Sequence, residues 1–184
     1  MKFGLGAAAS AGVAAAPAMG CAQILIGRGA SSQAAMRSVG LDNLHTGESM
    51  EAVYWEQGQY IPDVLAAVDT HLRDYRNGAV HTIDPRLLDL LDAVSDRTGS
   101  RSRFQVISGY RSPQTNALLH ERSAEVAKKS FHIQGMAIDV RLPGVELHHL
   151  HAAAVSLGRG GVGFYPESNF VHIDVGPVRT WSGV

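Results

Sequence analysis

Short stretches of alternating apolar and polar residues predict the strands of this chain. Residues 136–140 and 170–175 carry apolar side chains at every second position, the pattern of a strand with one buried face. Residues 104–109 predict another short strand. Apolar residues between Val39 and Tyr60, broken by Gly and Asn, predict two or three more.

Other segments repeat their apolar residues at the spacing of a helix. Their expected limits are Pro62 to Asn77-Gly78, Asp84-Pro85 to Gly99, Ser112-Pro113 onwards, and Glu146 to Gly158. In the third of these helices, the residues expected to share an apolar face are Leu118, Leu119, Val126 and Ala127. Together the elements predict an α+β domain in which helices pack against a small antiparallel sheet.

Composition fits one globular domain. The chain has 184 residues, of which 45% are hydrophobic and 18% charged, enough for a substantial core. The net charge is −1 and no Lys/Arg block occurs, so nucleic acid is not an expected partner. Cys21 is the single cysteine, which excludes an internal disulfide. We expect the domain to be a monomer.

The first residues differ from the rest and predict export. Lys2 precedes an uncharged stretch rich in Ala and Gly, which is typical of a secretory signal and a poor membrane span. We therefore expect an export signal at 1–21, a linker at 22–38 and a single folded domain at 39–184. The mature chain would act in the periplasm or cell envelope without an integral membrane span. A lipoprotein anchored through Cys21 is the alternative.

His132 and Asp139 lie seven residues apart, with Gly135 between them. Their separation would be about 10 Å along a helix and roughly 23 Å along a strand. Both are too far for one metal whose ligand bonds are about 2 Å long. The chain must therefore turn between them, and Gly135 suits an unusual backbone there. A strand after the turn would bring Asp139 beside the histidine.

His172 supplies a third candidate ligand. It lies on the 170–175 strand and shares a face with Phe170 and Asp174. Two histidines and one carboxylate leave a coordination position open for water, as in catalytic zinc sites, whereas structural sites are usually closed by four protein ligands. We therefore expect one Zn²⁺ held by His132, Asp139 and His172.

The motif Ser-x-His-x-x-Gly-x-Ala-x-Asp at 130–139, followed by a later strand histidine, resembles the LAS zinc peptidases. That superfamily includes D-alanyl-D-alanine carboxypeptidases and dipeptidases, and the hedgehog domain. More closely, the chain from about Leu41 to Trp181 resembles the YcbK-like murein endopeptidases. The further shared motifs are His45-Thr46-Gly47-Glu48, Leu72-Arg73-Asp74, Ser108-Gly109-Tyr110-Arg111-Ser112, Gly160-Gly161-Val162-Gly163 and Val175-Gly176-Pro177-Val178-Arg179-Thr180-Trp181.

The resemblance implies a zinc-dependent hydrolase that cleaves peptide bonds in peptidoglycan, with peptide stems as its partner. It also implies that Arg111 binds the substrate or the developing oxyanion, and Ser130 is assigned to substrate binding with it. Whether the bond is L,D or D,D stays open. The alternatives are a D-alanyl-D-alanine carboxypeptidase and a zinc-stabilised cell-wall-binding module without turnover.

The general base is the point at which the chain departs from its relatives. Many of them have Glu three residues before the second zinc histidine, and others have His two residues before it. Here these positions are Asn169 and Phe170. Asp174, on the same strand face as His172, is nominated as catalytic base or as partner of a zinc ligand. Glu167 is the reserve candidate for the base.

Overall fold

The structure is a computed structural model that describes Met1 and residues 36–123 and 127–183. All of these except Met1 belong to one compact unit, Gln33–Val184. The expected export signal and most of the expected linker lie outside the described residues. No helix among the described residues is long and apolar enough to cross a lipid bilayer.

Eight strands and four α-helices make up the described part of the chain. The strands are β1 Arg37–Asn43, β2 Ser49–Glu56, β3 Gln59–Tyr60, β4 Phe104–Ser108, β5 Ala137–Arg141, β6 Gly161–Tyr165, β7 Phe170–Asp174 and β8 Arg179–Ser182. The helices are α1 Pro62–His71, α2 Pro85–Thr98, α3 Pro113–Arg122 and α4 Leu147–Leu157, with a 3-10 turn at Phe131–Gln134. The predicted α+β class is confirmed.

All eight strands belong to one sheet, in the order β3-β2-β1-β4-β5-β7-β6-β8. Most neighbours are antiparallel, as expected, but β1 and β4 pair in parallel, and so do β6 and β8. The sheet is therefore larger than predicted and mixed. Strand β8 is not among the predicted strands, because four residues are too few to show an alternation of apolar and polar side chains.

The hydrophobic core lies between the sheet and the helices α2 and α4. It includes Leu91 of α2 and Leu150 of α4, both fully buried, together with Ile138 of β5 and Ile173 of β7. Because side chains alternate along a strand, Asp139 and His172 leave the opposite face of the same two strands. The central strands thus bury their aliphatic side chains on one face and carry the polar cluster on the other.

The helix α2 begins and ends where the sequence indicates. The carboxylate of Asp84 accepts a hydrogen bond from the backbone N–H of Arg86, and Gly99 ends the helix with φ of 68°. Helix α4 likewise ends at Gly158. These limits depend on capping interactions within a few residues, which a sequence pattern reports directly.

Two helix predictions are corrected. Helix α1 ends at His71 rather than at Asn77-Gly78, because the carbonyl of Leu72 accepts a hydrogen bond from the distant backbone N–H of Tyr110 at 2.8 Å. Helix α3 ends at Arg122, and Leu118 of the expected apolar face is 54% exposed. The buried residues of α3 are polar and form hydrogen bonds, such as that from Asn116 to the backbone carbonyl of Ala127. Val126 lies outside the described residues.

The domain itself begins slightly earlier than expected. Strand β1 starts at Arg37, within the range expected to be linker, and pairs with β2. Its buried residues include Val39 and Leu41, which belong to the hydrophobic core.

Candidate metal centre and substrate pocket

Three side chains from two segments converge on one point. The Nε2 atom of His132 lies 3.2 Å from Oδ1 of Asp139 and 3.2 Å from Nδ1 of His172. The third side of this triangle, from Nδ1 of His172 to Oδ1 of Asp139, is 2.9 Å. All three residues are at least nine-tenths buried, and they form a cluster that could hold a metal ion. The structure therefore brings together the three residues that the sequence predicts as ligands.

The second nitrogen of each histidine is occupied by a hydrogen bond. Nδ1 of His132 lies 2.7 Å from the carbonyl oxygen of Gly109, which can only accept, so this nitrogen carries the proton. Nε2 of His172 lies 3.0 Å from Oδ2 of Asp174 and donates to it in the same way. In the neutral histidines, the two nitrogens that face Asp139 therefore present lone pairs.

A convergence of two nitrogen lone pairs and a carboxylate is stabilised by a cation. For a tetrahedral metal with ligand bonds of about 2 Å, neighbouring ligand atoms are separated by about 3.3 Å. The observed separations of 3.2, 3.2 and 2.9 Å are close to that value. The residues present thus fit a zinc ion with two histidine ligands, one carboxylate ligand and an open fourth position.

A tight turn brings His132 and Asp139 together. The hydroxyl of Ser130 accepts a hydrogen bond from the backbone N–H of His132 and begins the 3-10 turn. The turn ends at Gly135, whose φ is 66°. A Cβ atom there would collide with the carbonyl oxygen of Thr82. Gly135 is required both for its backbone conformation and for this close approach, as the sequence predicts.

Sheet pairing brings His172 to the same place. Strands β5 and β7 are antiparallel, with Asp139 directly opposite His172. Gly163 of β6 is the partner of His172 on the other side and lies under the ring of Trp181. A Cβ atom on Gly163 would lie 2.6 Å from that ring. Gly163 therefore allows Trp181 to pack closely beside the strand that carries His172.

Burial and charge act in opposite directions on these groups. Burial alone would raise the pKa of Asp139, but attraction to protonated His132 and the hydrogen bonds that both protonated histidines would donate hold it below its usual value. Burial lowers the pKa of His132, which favours its neutral form. For His172, burial also acts to lower the pKa, but the hydrogen bonds that its protonated form would donate to Asp139 and Asp174 outweigh burial and raise the pKa.

Arg111 lies beside the triad and is 9% exposed. Its Nη2 atom is 3.4 Å from Oδ2 of Asp139 and 3.2 Å from the hydroxyl of Ser108, and its Nη1 atom is 3.5 Å from Asn116. These are long distances for hydrogen bonds. Its Nε is buried without a partner among the described residues. The guanidinium retains N–H groups for a further acceptor at the edge of the site.

Asp174 lies behind His172, on the side away from the triad. Its carboxylate is fully buried and accepts hydrogen bonds from His172, from the backbone N–H groups of Gly161 and Gly176, and from Arg179. Burial alone would raise its pKa, but the bonds from His172 and Arg179 lower it. Of the two roles nominated for Asp174, this geometry favours that of partner to a ligand and disfavours that of base.

An open pocket of about 560 Å³ lies over the triad. Its lining includes Arg111 and Ser130, the two residues assigned to substrate binding from the resemblance. The other described residues of the lining, apart from the triad, are Ser123, Ala127, Lys129, Phe131, Tyr165, Ser168, Phe170, Arg179 and Trp181. Sequence reasoning assigned no role to Phe131 or Tyr165. Both are aromatic residues close in sequence to a proposed metal ligand, and that proximity could have indicated them.

Among the described lining residues, Asp139 is the one carboxylate, and it belongs to the triad. Glu167 is exposed in the turn between β6 and β7 and does not line the pocket. Asn169 lies in the same turn with φ of 54°. The geometry thus gives no support to Glu167 as base.

The other histidines lie outside the pocket. His45 stacks on Tyr75 with ring centroids 3.7 Å apart, in a turn that connects β1 and β2. His148 and His149 are exposed on α4, whereas His151 packs against Phe164 and is half-buried.

Comparison with known proteins gives a consistent result. The model of the Peptidase_M15_2 family, described as peptidoglycan L,D-endopeptidase MepK, matches residues 31–181. The peptidoglycan L,D-endopeptidase MepK of Escherichia coli strain K12 is 48% identical over 145 residues, which cover 79% of this chain and 80% of that protein. A probable peptidoglycan L,D-endopeptidase MepK of Haemophilus influenzae is 44% identical over 143 residues, 77% of each chain. No solved structure matches.

Proposed function

This chain belongs to the family of peptidoglycan L,D-endopeptidase MepK, and we propose that it is a zinc-dependent endopeptidase that hydrolyses L,D peptide bonds of bacterial peptidoglycan. One observation carries the proposal: three metal-binding atoms, separated by 2.9 to 3.2 Å, converge at an open pocket. The names of the relatives supply the substrate and the L,D stereochemistry.

The proposed ligands are Nε2 of His132, Oδ1 of Asp139 and Nδ1 of His172. When bound, zinc supplies a Lewis acid that activates water and polarises the scissile carbonyl. Each residue holds its ligand atom in a fixed direction, because its other polar atoms are occupied. The carbonyl of Gly109 orients His132, and Asp174 orients His172 and strengthens its basicity.

Arg111 is the proposed electrophilic group of the reaction. It adjoins Asp139 at the pocket wall, and its guanidinium is incompletely satisfied in the substrate-free protein. A carbonyl oxygen that gains negative charge would accept from these N–H groups more strongly than the neutral substrate does. Ser130 lines the same wall. Its hydroxyl supports the turn of His132 and could also contact the peptide.

The alternatives are less well supported. A binding module without turnover would not need an open coordination position beside Arg111, whose guanidinium has N–H groups without a close acceptor. A D-alanyl-D-alanine carboxypeptidase shares the chemistry, but the relatives are named endopeptidases. We propose that the chain acts as a monomer, because the triad and the pocket are complete within one chain. Its substrate implies export to the periplasm or envelope through the signal at 1–21.

The test is incubation of the purified, zinc-loaded protein with isolated peptidoglycan, followed by separation and mass spectrometry of the released muropeptides. We expect loss of L,D-cross-linked species, inhibition by a chelator and recovery when zinc is restored. Release of free D-Ala from uncross-linked stems would identify a carboxypeptidase. Binding to peptidoglycan with an unchanged muropeptide profile would identify a binding module and refute the proposed hydrolysis.

A further inference from the structure

Arg179, the first residue of β8, contacts both the buried support of the metal centre and the open pocket. Its Nη2 and Nη1 atoms donate to Oδ2 and Oδ1 of Asp174 at 2.7 and 3.1 Å. Asp174 is fully buried, whereas the Arg179 side chain is 39% exposed and lines the pocket. Arg179 therefore connects the buried carboxylate with the open pocket.

The donors of this guanidinium can be counted. Nη1 donates to Asp174 and to the carbonyl of Pro177, so both of its hydrogens are occupied. Nη2 uses one hydrogen on Asp174. The remaining hydrogens, one on Nη2 and one on Nε, have no hydrogen-bond acceptor among the described residues. They are adjacent and parallel on one edge of the planar group, the arrangement that binds a carboxylate in a bidentate manner.

Two aromatic rings hold the plane of this guanidinium. Its central carbon lies 5.1 Å from the ring centroid of Phe131 and 4.8 Å from that of Trp181. Both rings also line the pocket. Together with the paired bonds to Asp174, they restrict rotation of Arg179, so little rotamer entropy remains to be lost when a ligand binds. The open edge is therefore preorganised.

We propose that Arg179 is a specificity-determining residue that binds a free carboxylate of the peptide substrate through its Nε and Nη2 hydrogens. The inference rests on the proposed peptidase function and names the chemical group that the pocket selects. Its position supports this role, because Arg179 and His172 both contact Trp181 and line the same pocket, with the ring centroids of Trp181 and His172 5.2 Å apart. A peptide that fills this pocket from the triad would therefore reach Arg179.

The charge of the pocket agrees with an acidic ligand. Its described lining contains the cations Arg111, Lys129 and Arg179, and Asp139 as the one carboxylate. Arg111 is directed at Asp139, and Lys129 is exposed at the rim. Arg179 is distinguished from both by its free pair of parallel donors. Lys129 therefore offers a control that removes one positive charge from the same pocket without removing the proposed binding fork.

The test measures binding, so it does not depend on turnover. Tripeptide stems of peptidoglycan with free carboxylates, and the same peptides with each carboxylate in turn converted to a carboxamide, are titrated into the zinc-loaded protein. Calorimetry gives the Kd of each. In the wild-type protein, we expect at least one amidation to weaken binding about tenfold or more, because a charge-assisted bidentate contact is lost.

The variant Arg179→Gln should bind the free and the amidated peptides with equal Kd. The variant Arg179→Lys should show a smaller difference between the two Kd values than the wild type. Lys129→Gln should keep the full difference. Zinc affinity, measured by chelator competition in every variant, separates recognition from support of the metal centre. If Arg179 only supported the metal centre, its replacement would weaken zinc binding and leave the preference for the free carboxylate intact. Preserved preference in Arg179→Gln, or in Arg179→Lys if the Gln variant does not fold, overturns the proposal. So does the absence of any preference in the wild type. Preference without any hydrolysis of peptidoglycan would instead refute the peptidase function alone.

Discussion

His172 donates from Nε2 to Oδ2 of Asp174 at 3.0 Å, and this bond leaves its Nδ1 atom facing Oδ1 of Asp139 at 2.9 Å. The two residues are neighbours on one strand face, two positions apart. A single hydrogen bond therefore selects both the tautomer and the direction of a proposed metal ligand. The carboxylate that sequence reasoning nominated for proton transfer is placed where it can hold that ligand.

The first prediction concerns metal content. Wild-type protein should retain one zinc ion per chain after dialysis, and Asp139→Ala and His172→Ala should retain little, because each removes one of three ligand atoms. Inductively coupled plasma mass spectrometry measures the ratio. His149→Ala, on the exposed face of α4, is the matched control and should keep its zinc. Full zinc occupancy in both ligand variants would eliminate the proposed site.

The second prediction separates the two roles of Asp174. As a partner that orients His172, it should have its main effect on the metal: Asp174→Asn should weaken zinc binding by about 10- to 100-fold. Saturating zinc should then recover much of the activity. If Asp174 were the base, the variant would bind zinc normally and lose turnover by on the order of a hundredfold or more. Chelator competition and peptidoglycan digestion with excess zinc distinguish these results.

The third prediction concerns Arg111. Replacement by Ala should lower kcat by on the order of 100- to 1,000-fold, because a donor to the developing oxyanion is lost. Zinc content should be retained, since Arg111 supplies no ligand atom to the metal. The exposed Arg101, paired with Asp96 on the surface, provides a control in Arg101→Ala that should be close to wild type. An Arg111→Ala enzyme with normal kcat would show that this guanidinium does not participate in the reaction.

The fourth prediction is a pH-dependent contribution to stability from Asp74. Its carboxylate accepts hydrogen bonds from the backbone N–H groups of Ser112 and Arg76 at 3.0 and 3.1 Å. Burial alone would raise its pKa, but bonds from Thr115 and Ser112 outweigh it and lower the pKa below 3.8. Asp74→Asn should therefore reduce the free energy of unfolding at neutral pH by about 1–3 kcal/mol.

The sign of this effect follows from linkage. A carboxyl group with a lowered folded-state pKa contributes stability above its unfolded pKa and loses it as pH falls through the folded value. The difference between wild type and Asp74→Asn should thus be full above about pH 5 and shrink in more acidic solution. Urea unfolding across this range measures it. Asp96→Asn, at a 61% exposed side chain, should change stability little at any pH. A constant Asp74→Asn difference would contradict the prediction.

The fifth prediction concerns the N-terminus. If residues 1–21 are an export signal, the mature protein should lack them and should be recovered from the periplasm or the cell envelope. Mass spectrometry of the purified chain identifies its first residue. A diacylglyceryl group on Cys21 would replace the soluble form with a lipoprotein. An intact terminus beginning at Met1 would contradict export by this segment.

Local sequence determined the elements whose signals lie within a few residues. The caps Asp84 and Gly99 define α2, and alternation defines β5 and β7. The ligand types and the turn at Gly135 follow from chemistry that is visible in the same stretches, since a metal needs donors that a straight helix or strand could not bring together. The Arg111 and zinc assignments also drew on the resemblance to a family.

Tertiary structure decided what depends on residues distant in the sequence. Leu72 ends α1 because its carbonyl bonds to Tyr110. Helix α3 buries polar residues because Asn116 bonds to the distant backbone carbonyl of Ala127. Arg179 became a partner of Asp174 and a pocket residue only when β8 paired with β6. A periodic pattern reports which face of an element is apolar. It carries no information on which hydrogen-bond partner another strand will supply, because that is fixed by sheet register.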